Sequence, residues 1–224
     1  LGFALAALYL GEQADEANQA IRAVCARGID ERIGNGEPRF HWVAPIMVRI
    51  HELYGASSLC IPGRIEAETE AAIRGVLWDY LSRHVDIDRY TPDRVWHMHG
   101  SENHDEQYLS TEWGASRILL REASYANRRT KSGATAVEIY EAVNAFMKLR
   151  FRERIGKGLL VEKASPTYAK YTLSQWYNYY DFGDDELRRL VDAALVVFWT
   201  DWAQEQFDGV RGGAKARVYA GRTA

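Results

Sequence analysis

No run of apolar residues in this chain reaches the roughly 18–20 needed to cross a bilayer, so the sequence predicts no membrane span. There is no basic surplus either. Lys and Arg number 28 against 31 Asp and Glu, a net charge of -3 with a pI near 6.1, which argues against a nucleic-acid partner. Cysteine is scarce: Cys25 and Cys60 form no C-x-x-C pair or other metal spacing, and each reads as a small core side chain in apolar sequence. Strand alternation is missing over any useful length, with only residues 157–163 able to form a short extended piece. The opening Leu1 to Leu10 is apolar but lacks a basic n-region, and Gly11-Glu12-Gln13 is no cleavage site, so it reads as a buried helix. An initiator methionine is also missing. The expectation is therefore a piece of a longer protein, with further domains elsewhere in the chain and a localisation left open.

What is there is helical periodicity. Leu187, Leu190, Val191, Ala194, Leu195, Phe198 and Trp202 recur at the i, i+3, i+4 spacing of one helix face, and Ile65, Ala72, Ile73, Val76, Leu77, Tyr80 and Leu81 do so more loosely. Caps agree: Thr135 to Glu138 forms a capping box, Ser165 precedes a proline suited to a first helical position, and Gly183 separates one helix from Asp184-Asp185-Glu186 opening the next. The pattern predicts eight helices, near 2–10, 14–27, 43–54, 65–83, 103–124, 135–153, 166–181 and 185–207. Paired in order they make four hairpins repeating at roughly 60 residues, an array that can be a solenoid or a closed toroid. The segments between helices 3 and 4, 4 and 5, and 6 and 7 run to about ten to twenty residues and carry His, Tyr, Lys and Glu. Solenoids have short, monotonous turns, so the fold expected is all-α: one (α/α) toroid or incomplete toroid over residues 1–224.

Chemistry concentrates between Trp96 and Tyr108. Three of the six histidines, His97, His99 and His104, fall there with Glu102, Asn103, Asp105 and Glu106, where a loop becomes a helix. A helix N-terminus offers unpaired N–H groups and a partial positive charge, a setting for an anionic substrate. Asn103 with Glu106 also reads as a capping pair, and Ser101 as a cap one turn earlier. His104, flanked by carboxylates in a first turn, is placed for proton transfer. His97, His99 and His104 with Glu102 and Asp105 hold enough nitrogen and oxygen for a divalent ion, but they match no strong metal motif, and no cofactor is expected.

A second cluster runs from Glu162 through Ser165, Tyr168, Lys170 and Tyr171, again at a loop-to-helix junction. Its tyrosines read either as core-lining groups or as phenolic acids and bases facing a cleft. A third, Asp208 to Tyr219, combines glycines with Arg211, Lys215 and Arg217, either a solvated tail or an anion-contacting loop. Seven Trp and thirteen Tyr add ring faces of the kind that stack on sugars, Trp96 among them.

A helical-hairpin chain with Asn103-His104 opening one inner helix, and Tyr168 at a junction one hairpin later, resembles the chondroitin AC/alginate lyase superfamily, with its heparinase II/III-like relatives. The resemblance implies β-elimination on a uronic-acid-containing polysaccharide and an extracellular or periplasmic setting. It implies that Asn103 neutralises the uronate carboxylate, that His104 is the base or its neutralising partner, and that Tyr168 is the acid or base. Trp96, His97, His99, Glu102, Tyr171, Arg211 and Arg217 are the further substrate-contact candidates. Glu102 stands where many alginate lyases have a second asparagine, and the motif places no arginine. Glu102, Asp105, Glu106 and Glu162 equally offer carboxylate pairs for a glycoside hydrolase on a similar toroid, and a helical-repeat binding module is the non-enzymatic alternative.

Overall fold

The computed structural model describes residues 1–32, 39–98, 100–158, 165 and 168–211. Helix accounts for 71% of the described residues, and the described strand is confined to one short ribbon, so the fold is all-α. Among the described residues the helices are α1 (Gly2–Leu10), α2 (Ala14–Cys25), α3 (Phe40–Tyr54), α4 (Ala67–His84), α5 (Glu102–Leu119), the single turn α6 (Ala123–Ala126), α7 (Ala136–Lys157), α8 (Ala169–Phe182) and α9 (Asp185–Gln204). Two 3-10 turns, Ile87–Arg89 and Pro92–Arg94, interrupt the segment before α5. None of the described helices is long and apolar enough to cross a membrane.

The chain forms two compact units, residues 1–88 with 111–143, and residues 89–110 with 144–224. It passes between them three times: between Asp88 and Arg89, within α5 and within α7.

In the first unit α1 packs on α2 and α3, and α4 packs on α2 and α3. Gly11 closes α1 in the left-handed conformation that glycine adopts without strain, and the Arg64 guanidinium donates to the carbonyls of Leu8 and Tyr9 there, a cation on the negative end of the helix. The periodic stripe of α4 is buried at Ile73, Val76, Leu77, Tyr80 and Leu81. Glu52 of α3 accepts from Arg117 at 2.5 Å and from Arg121 at 2.6 Å, which ties α3 to the end of α5. Helix α3 meets α5 so closely at Val48 and Gly114 that a Cβ on Gly114 would lie 2.5 Å from Val48 Cγ1. Cys60 departs from its expected place in the core. It is exposed in the turn after α3, its N–H bonded to Ser58 Oγ at 3.0 Å, whereas Cys25 is buried and burial pushes its thiol up to about 11.

In the second unit α8 and α9 form a hairpin over an aromatic core. Phe151 of α7 meets Trp176 edge-on at 5.3 Å and Tyr179 at 5.8 Å, and Trp176 meets Phe198 at 6.4 Å. Leu187, Val191, Ala194, Leu195 and Phe198 supply the buried stripe of α9. Asp184 caps α9, its Oδ1 accepting from the N–H groups of Glu186 at 3.1 Å and Leu187 at 2.9 Å. Burial alone would raise the Asp184 carboxyl, but Lys148, the Leu187 N–H and Asn144 outweigh it and hold it at about 2. Beyond α9, Gln206–Phe207 (β1) pairs antiparallel with Val210–Arg211 (β2) around Asp208-Gly209. Both turn residues have positive φ, the requirement of the type I′ hairpin that Asp-Gly favours.

Candidate functional site

The first two turns of α5 carry one polar side chain after another, and nearly all are buried. Ser101 stands at the cap position, where its carbonyl accepts from the Asp105 N–H at 3.0 Å, so the helix opens one residue before the expected start at 103. Its hydroxyl donates to Asn103 Oδ1 at 2.7 Å, and the Asn103 side chain is fully enclosed. Gln107 donates back to the Asn103 carbonyl at 3.1 Å. Glu102, Asp105, Glu106, Gln107 and Ser110 are all buried as well. What keeps access to solvent is a stripe at i, i+3, i+7: Ser101, His104 and Tyr108, each half-buried.

Two arginines from α7 hold this turn from below. Arg154 Nη1 donates to Glu102 Oε1 at 2.6 Å, and Arg150 Nη2 donates to Asp105 Oδ2 at 2.6 Å. Arg150 also donates from Nη1 to the Val95 carbonyl at 3.0 Å, which pins the loop before α5. The pairings of 102 with 154 and 105 with 150 make α5 and α7 antiparallel in this unit. Arg150 Nε lies 3.6 Å from Glu106 Oε2, while Glu106 Oε1 has no partner among the described residues. Burial pushes the Glu106 carboxyl above the usual carboxylate range, against the pull of Arg150 and Arg154. A carboxyl raised in this way holds its proton more readily than an ordinary glutamate, the direction a low-dielectric interior favours.

Trp96 reaches the same cluster from outside. Its indole N–H donates to Glu153 Oε2 at 3.2 Å, and the Arg154 guanidinium lies 5.9 Å from its ring centroid, within cation–π range. The ring is 45% exposed, so one sequence candidate offers a surface for stacking while bracing the arginine that holds another, Glu102.

The remaining candidates are dispersed in character. His97 is exposed; His99, Glu162 and Arg217 lie outside the described residues, as does the Arg211 side chain. Among the described residues no group of three or more His, Cys, Asp or Glu is placed to hold a metal ion. Ser165 is not the cap of α8: the helix starts at Ala169, past the expected 166, with Tyr168 at the cap position and no side-chain cap. The Ser165 hydroxyl instead accepts from the Tyr168 N–H at 3.2 Å, and Tyr168 is nine-tenths buried. Tyr171 is half-buried with the Lys170 ammonium 5.1 Å from its ring.

The residues that sequence reasoning missed are Arg150 and Arg154. Their signal was positional: Val143, Met147, Arg150 and Arg154 share one face of α7, so both arginines interrupt an apolar stripe. Charged residues at such positions are enclosed only when paired.

Compared with protein-family models, with curated proteins and with solved structures, the chain matches none.

Proposed function

We propose that this chain is part of a carbohydrate-active enzyme of the polysaccharide-lyase type, built on an (α/α) toroid and cleaving a uronic-acid-containing polysaccharide by β-elimination. One observation carries the reading: on a helix N-terminus whose other polar side chains are buried, Glu102 and Asp105 on arginines of α7, the accessible stripe consists of Ser101, His104 and Tyr108. Burying three carboxyl groups and two guanidinium groups beneath a single half-buried imidazole is an expensive arrangement for a solvated helix end. It suits a side chain that must be held in one orientation.

In the proposed reaction the uronate carboxylate faces the first N–H groups of α5, and the Asn103 amide dipole acts from beneath. His104 takes the proton from C5. The electron pair forms the C4–C5 double bond as the C4–O4 bond breaks, and a phenol protonates the departing O4 oxygen. Tyr168 is the phenol that the family resemblance implies. Tyr108 is the second candidate, because it lies one turn from His104 on the same accessible face. Trp96 offers its exposed ring to a neighbouring sugar. The Asn103 amide and the N-terminal dipole of α5 stabilise the developing charge, and the proposed mechanism uses no metal.

A second reading, glycoside hydrolysis, is favoured by Glu106, whose carboxyl burial raises above the usual range, the direction a general acid needs. Product spectroscopy separates the two on a panel of alginate, chondroitin, hyaluronan, heparin and polygalacturonate. Elimination yields an unsaturated sugar absorbing in the near ultraviolet. New reducing ends without that absorbance support hydrolysis, and neither product supports a binding module.

A further inference from the structure

Helices α8 and α9 leave an open groove of about 480 Å³, lined by Tyr177 and Tyr180 from α8 and by Asp192, Val196, Trp199 and Thr200 from α9. The lining follows from helical spacing: Asp192, Val196, Trp199 and Thr200 stand at i, i+4, i+7 and i+8, and Tyr177 and Tyr180 at i and i+3. Trp199 is 44% exposed, an unusual outlay of apolar surface for a side chain of that size. Its ring is nonetheless fixed. The indole N–H donates to the Tyr177 hydroxyl at 3.2 Å, Phe198 buttresses it edge-on at 5.2 Å, and Trp202 does so at 6.1 Å. With its one donor used internally, Trp199 presents a ring face and no polar edge.

We propose that this groove binds a neutral oligosaccharide, its sugar rings stacked on Trp199 and the two tyrosines. The mixture of lining groups selects that class. A purely apolar occupant, such as a hydrophobic helix, would enclose the Asp192 carboxylate without a partner, at the desolvation cost of a buried charge. Sugar hydroxyls donate to that carboxylate and to the Thr200 and Tyr180 oxygens, while their C–H faces cover the rings. Charge narrows the class further: the lining holds one acidic side chain, Asp192, and no basic one, so a uronate is repelled and an uncharged hexose or pentose chain is accepted. The volume falls within the range of small-molecule sites. The groove stands on its own geometry and requires no particular chemistry at His104.

The test is a titration of the intact chain with cellotetraose, xylotetraose, mannotetraose and maltotetraose, and with trigalacturonate as the acidic comparator, followed by tryptophan fluorescence and by saturation-transfer NMR. At least one neutral tetraose is expected to bind with a millimolar or lower Kd, and trigalacturonate to leave the same signal unchanged. Trp199→Ala is expected to weaken binding about tenfold or more. Val196→Lys, at a position 59% exposed and tolerant of substitution, is expected to block the groove with the helical circular dichroism intact. Absence of binding by all four tetraoses, equal binding by Val196→Lys, or a dimer that Val196→Lys converts to monomer would each overturn the assignment. Lyase assays on acidic polysaccharides read a different property, so failure of one reading leaves the other measurable.

Discussion

Arg154 and Glu102 meet at 2.6 Å with both side chains almost entirely sealed from water, so the fourth-from-last residue of α7 anchors the first residue of α5. Removing one member takes from the other its short charged hydrogen bond in a site sealed from water. Glu102→Gln or Arg154→Met is expected to cost about 3–5 kcal/mol, read as a fall in the urea midpoint. The double variant should cost less than the sum, because the interaction can be lost only once. Strict additivity would show that the two groups are not coupled.

Gly114 leaves no room for a side chain. Alanine there should gain about 1 kcal/mol of helix preference and lose about 1–3 kcal/mol to overpacking against Val48, whose two methyl carbons would stand 2.5 and 2.8 Å from the new Cβ. Gly114→Ala is therefore expected to lower Tm, and Val48→Ala to relieve part of the loss. A Gly114→Ala protein more stable than the parent would contradict the close approach of α3 and α5.

His51 gives the first unit a pH dependence. Burial pushes its imidazole from 6.5 down to about 4, against the opposing charges of Glu52 and Glu70. As pH falls, the unfolded chain takes up this proton first, so the stability contribution is present above pH 6.5 and is lost on the way down to about pH 4. The full effect is on the order of 3 kcal/mol. Urea titrations across that window should show a slope in the parent that His51→Gln flattens. Equal slopes would place the acid sensitivity elsewhere.

What could be read in advance was local. The capping box forms as its four residues predict: the Thr135 N–H donates to Glu138 Oε2 at 2.7 Å, and the Glu138 N–H donates to Thr135 Oγ1 at 3.3 Å. Four residues of sequence contain that whole interaction. The end of α7 was different. Periodicity stops it near 153, but it runs to Lys157, because Arg154 finds its carboxylate partner 52 positions away, beyond the reach of any window. Helix α3 likewise begins at Phe40, ahead of its expected start at 43, with Phe40 and His41 both buried. The Asp208-Gly209 hairpin was legible too: the segment reads as a solvated tail or an anion-contacting loop, yet a two-residue Asp-Gly turn specifies the hairpin geometry on its own. At the site, clustering of His104 with carboxylates was visible, but which of them face water was not. That depends on the arginines of a helix 45 residues later.

The two phenols should separate kinetically. If Tyr168 protonates O4, Tyr168→Phe removes only a hydroxyl and should lower kcat about 10²–10⁴-fold while Tyr108→Phe stays near parental activity; the reverse pattern assigns the role to Tyr108. Losses under about tenfold in both would give the two tyrosines packing roles. Treatment with a chelator should leave turnover unchanged, and loss of activity restored by a divalent ion would contradict the metal-free mechanism.

The central claim is that His104 removes a C5 proton from a uronate, and near-ultraviolet absorbance during incubation with acidic polysaccharides tests it most directly. The account predicts an unsaturated product from at least one polymer, and at least a hundredfold slower formation by His104→Ala (the scale of a lost general base), with the helical circular dichroism unchanged. Product formed at the parental rate by His104→Ala, or chain cleavage with no rise in absorbance, would contradict it.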